Sequence, residues 1–239
     1  MTYRHLISPP TQIHRHTAPF LLESGASLPE VQVAYRTWGQ LNATGDNAVL
    51  VCHALTGGTD ADDWWDSLFG TGRALDPERD FIVCSNVLGS CYGSIGSTSI
   101  NPSTGVAYGI DFPAITVRDM VRLQAILLDA LAVERLTLAI GGSLGGMQVL
   151  EWALLYPERV GAIASIAAAG KHSAWCIGLS EAQRQAIYAD PAWQGGRYSP
   201  DCPPAAGLSV ARMIAMSTYR SWASFEAKFS RQRQSDLPD

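Results

Sequence analysis

The chain has 239 residues, 47% of them hydrophobic and 16% charged, a globular balance with apolar material for one sizeable core. A formal net charge of -5, an isoelectric point near 5.5 and no block of like charge argue against nucleic acid or anionic membrane as partners. No run approaches the ~18 apolar residues that span a bilayer, and MTYRHLISPPTQIHRH has no apolar stretch behind its basic residues, so a cytoplasmic protein is expected.

The first strand expected is VQVAYRTW (Val31 to Trp38), where apolar and polar residues alternate as on a half-exposed strand. AVLVCHA (Ala48 to Ala54) and FIVCSN (Phe81 to Asn86) are continuous apolar runs of buried-strand length, and Gly- and Asp-rich stretches such as TGGTDADDWWD read as loops. A helix is expected to begin at Thr116, where T-x-x-D fits a capping box and Met120, Leu123, Leu127 and Leu131 recur at helical spacing. RLTLAIG (Arg135 to Gly141) follows as a strand, Leu144 to Tyr156 as an apolar helix stopped by Pro157, and VGAIASIA (Val160 to Ala167) as the next strand.

Strand, helix, strand, helix, strand in that order indicates an α/β fold with a mostly parallel sheet and flanking crossover helices. After Ala169 no strand pattern recurs. SEAQRQAIYAD opens with Ser180 and Gln183 in capping-box spacing, Pro191 to Gly207 is rich in Pro and Gly, and LSVARMIAMSTYRSWASFEAKF reads as one or two helices. Residues 1–170 are therefore assigned to the core and residues 171–239 to a helical cap.

Five cysteines, Cys52, Cys84, Cys91, Cys176 and Cys202, form no C-x-x-C pair and accompany no histidine cluster. Reduced thiols, several of them in the core, are expected rather than a disulfide framework or a metal site.

At residues 139–148 the chain reads AIGGSLGGMQ, in which Gly141, Ser143 and Gly145 fit G-x-S-x-G between an expected strand and an expected helix. In that setting the serine stands on a strained turn above the sheet, at a helix N-terminus whose free N–H groups suit an oxyanion. The plainer alternative is a tight strand-to-helix connection with a solvent-facing serine. A phosphate loop is disfavoured, since neither G-x-x-x-x-G-K-[ST] nor G-x-G-x-x-G occurs. Ser143 is taken as a nucleophile whose two oxyanion donors are the backbone N–H groups of Leu144 and of Leu55, the latter in HALTGG after the strand AVLVC. By itself HALTGG reads better as an ordinary strand-end turn.

GGSLGGMQVLEWALLYPERV, HALTGG, NVLGSCYGSIGSTSINP and FPAITVRDMVRLQ together resemble the homoserine O-acetyltransferases of the α/β-hydrolase superfamily, over about Val31 to Gln232. The resemblance implies transfer of acetyl from acetyl-CoA to Ser143 and then to the hydroxyl of L-homoserine, for methionine synthesis. Acetyl-CoA is then a co-substrate, and no bound cofactor or metal is implied. It further implies that Arg212 and Tyr219, in ARMIAMSTYRS, grip the amino-acid acceptor, and that the full-length protein is a homodimer through its cap helices. Without the resemblance Arg212 would solvate a helix and Tyr219 would pack.

The same resemblance exposes a gap. The family's triad aspartate and histidine follow the nucleophile at a distance this chain does not reach. His172 aligns with a family histidine that is not the triad base. His5, His14, His16 and His53 read as surface or structural groups, and Asp190, Asp201, Asp236 and Asp239 match no triad aspartate. The family's STGP-type turn reads Ser94-Ile95-Gly96-Ser97 here. A truncated or frameshifted acetyltransferase lacking its C-terminal strands is expected, incomplete without its triad partners. The alternatives are a succinyl-CoA- or serine-specific acyltransferase, an esterase, or a noncatalytic interaction module.

Overall fold

The computed structural model describes residues 7–230. His5, Asp236 and Asp239 lie outside the described residues. Two compact units divide at Gly170 and Lys171.

The first unit is built on a six-stranded sheet, with β1 (Gln12–His16), β4 (Val31–Trp38), β5 (Ala48–Cys52), β6 (Phe81–Ser85), β7 (Leu138–Gly142) and β8 (Ile163–Ile166) in the order β1-β4-β6-β5-β7-β8. The four from β6 to β8 are parallel, whereas β4 runs antiparallel to both of its neighbours, β6 and β1, so the sheet is mixed at one side. β1 and the small hairpin of β2 (Phe20–Leu21) and β3 (Ser27–Leu28) are additions to the elements expected from sequence. Gln12, Ile13 and Arg15 of β1 are exposed, which explains why no apolar pattern marks this edge strand. The central β5 is buried at every position, as a parallel strand covered on both faces must be.

Between β6 and β7 lies α2 (Val117–Ala130), which starts as its sequence suggests. The Thr116 hydroxyl accepts from the Asp119 N–H while the Asp119 carboxylate accepts from the Thr116 N–H, closing a capping box. Asp119 is fully buried because it also accepts the Glu23 N–H, 2.9 Å away. α3 (Leu144–Leu155) follows β7 and ends before Pro157. TGGTDADDWWD is not all loop: it holds the short α1 (Ala61–Trp64) and a 3-10 turn at Asp66–Leu68. Arg36 of β4 holds this segment by a bidentate pair with Asp62 at 2.8 and 2.9 Å and a bond to Asp60 at 2.7 Å.

The second unit contains α4 (Ala174–Tyr188), α5 (Ala205–Thr218) and α6 (Trp222–Phe229). Here the structure corrects the sequence reading, because α4 starts at Ser173, whose side chain accepts from the Cys176 N–H, and not at Ser180. Ser180 and Gln183 lie inside the helix, where Gln183 bonds the Leu179 carbonyl instead of capping an end. The helix runs through AWCIGL without a breaker stronger than Gly178. The small residues Gly207, Ala211 and Ala215, four apart on α5, form its buried stripe. A Cβ on Gly207 would stand 2.5 Å from the Ala186 carbonyl oxygen of α4, so glycine permits the close approach of the two helices. Asp190 joins them, accepting from the N–H groups of Ala192 and Gly207 at 2.9 and 2.8 Å. Those two bonds hold its carboxylate below the usual range, the Gly207 bond contributing most. Cys52 and Cys84 are buried, but Cys91, Cys176 and Cys202 are exposed, so only two of the five thiols are core residues.

Candidate active site

Ser143 sits between β7 and α3 with φ 56° and ψ -120°, a backbone state that costs a non-glycine residue on the order of 1–3 kcal/mol. Its own N–H bonds the Ile166 carbonyl of β8 at 2.9 Å, and its carbonyl accepts from Met147 at 3.1 Å, so the strained residue is held from both sides. The side chain is exposed. Three of the four glycines are required by crowding. A Cβ at Gly145 would overlap the Cys52 carbonyl oxygen, one at Gly141 would lie 2.5 Å from the Gly145 carbonyl, and one at Gly146 would lie 2.6 Å from the Ala168 Cβ. Gly142 meets nothing closer than 3.9 Å.

The register of the sheet brings the second loop alongside. Cys52 of β5 pairs with Gly141 of β7, so HALTGG and GGSLGG leave the sheet at the same level. As the first residue of α3, Leu144 has an N–H with no intrahelical acceptor. Leu55 stands in the neighbouring loop with its side chain exposed. The loop is pinned by His53, which is 1% exposed: its Nε2 accepts the Val87 N–H at 3.2 Å, so Nδ1 carries the proton and donates to the Ala54 carbonyl at 2.7 Å. Burial pushes the imidazole pKa down, against the Ala54 bond that favours the charged form. His53 is thus a neutral structural group. Nor is the nearby Cys52 a rival nucleophile, since burial pushes its thiol up to about 12.

Beneath both loops runs a buried polar chain that the apolar periodicity of α2 and α3 hides. Trp152 Nε1–H donates to Gln124 Oε1 at 2.8 Å, and Gln124 Nε2 donates to Gln148 Oε1 at 2.8 Å. Gln148 Nε2 donates to the Leu144 carbonyl at 3.2 Å and reaches the His53 carbonyl at 3.5 Å. The one sequence signal for this chain is Gln148 itself, the last residue of GGSLGGMQ.

Among the described residues of the first unit, no histidine or carboxylate hydrogen-bonds the Ser143 hydroxyl, and none of His14, His16 and His53 stands in for a general base. In the second unit His172 is exposed and precedes α4. There Arg212 and Tyr219 are both exposed, and Arg212 Nη1 donates to the Tyr219 hydroxyl at 3.4 Å with the guanidinium carbon 6.0 Å from the ring centre. Tyr219 is the C-terminal cap of α5, so the seven-residue spacing does bring the two side chains together. Asp201 is exposed, and its N–H bonds the Ser199 hydroxyl. Among the described residues no group of three His, Cys, Asp or Glu side chains is arranged to hold a metal ion, and no helix is long and apolar enough to cross a membrane.

Residues 47–237 match the family model described as the alpha/beta hydrolase fold. The chain is 68% identical over 232 residues to a homoserine O-acetyltransferase of Nostoc punctiforme, covering 97% of this chain and 65% of that protein. Among solved structures it is similar to the homoserine O-acetyltransferase of Bacillus anthracis, with a TM-score of 0.86 and 28% identity over 95% of this chain and 65% of that one. It is also similar to esterase E22, with a TM-score of 0.84 and 30% identity over 96% of this chain and 68% of that one. The chain spans about 65% of the length of curated relatives that it matches. With a strained serine between strand and helix, a mostly parallel sheet beneath it and a family model over most of its length, the chain belongs to the alpha/beta hydrolase fold family.

Proposed function

We propose that the chain carries the acyl-accepting serine of a homoserine O-acetyltransferase. The observation that supports this most directly is the exposed Ser143 at φ 56°, at the N-terminus of α3 and in a connection that leaves the sheet level with HALTGG. In this reading Ser143 Oγ attacks the thioester carbonyl of acetyl-CoA as its proton passes to a base. The N–H groups of Leu144 and Leu55 bind the oxyanion, the C–S bond breaks, and the thiolate leaves and takes up a proton. The hydroxyl of L-homoserine then attacks the acetyl-serine ester, releasing O-acetyl-homoserine and restoring the serine. Each oxyanion donor is worth on the order of 10²–10³ in rate. None of the described residues near Ser143 is assigned the role of base.

Arg212 and Tyr219 are proposed as the acceptor grip. A planar guanidinium suits an α-carboxylate in two-point contact, and the Tyr219 hydroxyl keeps it oriented. Acetyl-CoA is a co-substrate, not a resident group.

The similarity to esterase E22 favours a second reading, in which water replaces homoserine. Thiol release from acetyl-CoA, followed with and without L-homoserine and beside Ser143→Ala, separates the two. The transferase reading expects release that depends on homoserine, yields O-acetyl-homoserine and disappears in the variant. Release indifferent to homoserine would make the chain an esterase, and no release from folded protein would overturn acyl transfer by this chain.

A further inference from the structure

We propose that Gln148, oriented through Gln124 and Trp152, is a positioning residue that sets the two oxyanion donors at Leu144 and Leu55 relative to each other. This rests on the reading of Ser143 as acyl acceptor. Its basis is a hydrogen-bond chain in which every member has one possible direction. The Trp152 indole can only donate, so the Gln124 atom facing it is the amide oxygen. The Gln124 amide nitrogen therefore faces Gln148, whose oxygen must receive it, and the Gln148 nitrogen is left for the two carbonyls, which can only accept. A donor-only group at one end and acceptor-only groups at the other leave no amide free to flip.

The carbonyls at the far end belong to the site. Leu144 carries one oxyanion donor on its own N–H, and His53 lies two residues before Leu55, which carries the other. Gln148 thus bonds the backbone of both loops with one side-chain nitrogen. Gln124 is 2% exposed, and Gln148 and Trp152 are fully buried. A fully satisfied polar chain in a core contributes little more to stability than well-packed apolar residues of the same shape, but it specifies a single arrangement. At a site whose two donors must converge on one oxygen, that single arrangement has a use.

The test needs a readout of position that does not depend on turnover. In protein labelled with ¹⁵N-leucine, the Leu55 and Leu144 amide signals report the two donors directly, and Gln148→Met removes the side-chain donor at nearly constant shape. Both signals are expected to move together in Gln148→Met, and to move less in Gln124→Met, which frees the Gln148 amide without removing it. The double variant is expected to match Gln148→Met alone, because one chain is cut in both. Leu28→Ala, a cavity in the β2–β3 hairpin, is expected to lower the melting temperature more while leaving both signals in place. Labelling of Ser143 by a fluorophosphonate, which also places an oxyanion between the donors, is expected to slow about tenfold or more in Gln148→Met. Leu55 and Leu144 signals at wild-type positions in Gln148→Met would overturn the proposal, as would simple additivity of the two substitutions. Should Gln148→Met not fold, the Gln124→Met spectra decide by the same criterion. Coupled amide shifts in a protein that transfers no acetyl group would sink the proposed function while leaving this positioning role in place. Full acetyl transfer by Gln148→Met would do the reverse.

Discussion

The two units present their candidate residues in opposite ways. Around Ser143 the geometry is made by backbone at close quarters: Cys52 and Gly141 pair across the sheet, Gly145 lies against the Cys52 carbonyl, and the side chains beneath are buried and hydrogen-bonded. Arg212 and Tyr219 instead project from an exposed helix surface and hold each other by one 3.4 Å contact. A site made of backbone tolerates few sequences. A pair of long side chains on a helix can be placed by many, which is why the first announces itself in the sequence and the second was found only through a family resemblance.

The sharpest way to break the comparison is to put a methyl group where the backbone is tightest. Gly145→Ala drives a Cβ into the Cys52 carbonyl, a backbone atom at the end of the buried central strand β5, and should cost about 3 kcal/mol or more or prevent folding. Gly142→Ala, three residues earlier in the same glycine-rich stretch, has nothing nearer than 3.9 Å and should lie within about 0.5 kcal/mol of wild type. Urea unfolding of the two measures the difference. Equal stabilities would mean that the first turn of α3 does not bear on β5 as described.

The same substitution in the second unit tests whether its helices rely on close approach too. Gly207→Ala places a Cβ 2.5 Å from the Ala186 carbonyl and 2.9 Å from the Asp190 Cβ, atoms at a helix end that can give way. A loss of about 2 kcal/mol is expected, smaller than at Gly145 because a helix C-terminus shifts more easily than a sheet. Circular dichroism at 222 nm against urea reads it.

Arg212→Lys keeps the charge and loses the planar fork. If this pair grips the acceptor carboxylate, KM for L-homoserine should rise about tenfold while acylation of Ser143 by acetyl-CoA proceeds at the wild-type rate. An unchanged KM would leave Arg212 as a solvated helix residue.

What was legible in the sequence follows the same division. The strands from Val31 onward, the capping box at Thr116 and the elbow could all be read, since each is dictated by local chemistry: unbroken apolar runs, a reciprocal side-chain cap, glycines around a serine. β1 could not, because an exposed edge strand needs no apolar alternation. The start of α4 was misplaced because Ser180 and Gln183 imitate a cap, while the true cap at Ser173 lacks the reciprocal partner that would have marked it. Gln124 and Gln148 were hidden inside helices whose apolar pattern is otherwise continuous; a glutamine on a buried face was the available signal.

His53 offers the finest distinction, because it belongs to HALTGG yet acts only on structure. Its Nε2 must be unprotonated to accept the Val87 N–H, and burial lowers its pKa below that of the unfolded chain, about 6.5. As pH falls through that unfolded value the unfolded state takes up a proton first. The contribution of His53 is therefore fully present above about pH 6.5 and is lost as pH falls toward the folded-state value, with a slope of at most about 1.4 kcal/mol per pH unit. In His53→Gln the amide oxygen can receive the Val87 N–H and nothing titrates, so the difference in unfolding free energy between the two proteins should change between pH 7.5 and 5.5, to the disadvantage of wild type at the acid end. A difference that stays constant over that range would mean that His53 keeps the same proton affinity folded and unfolded, and that the loop carrying Leu55 is held by something other than its neutral ring.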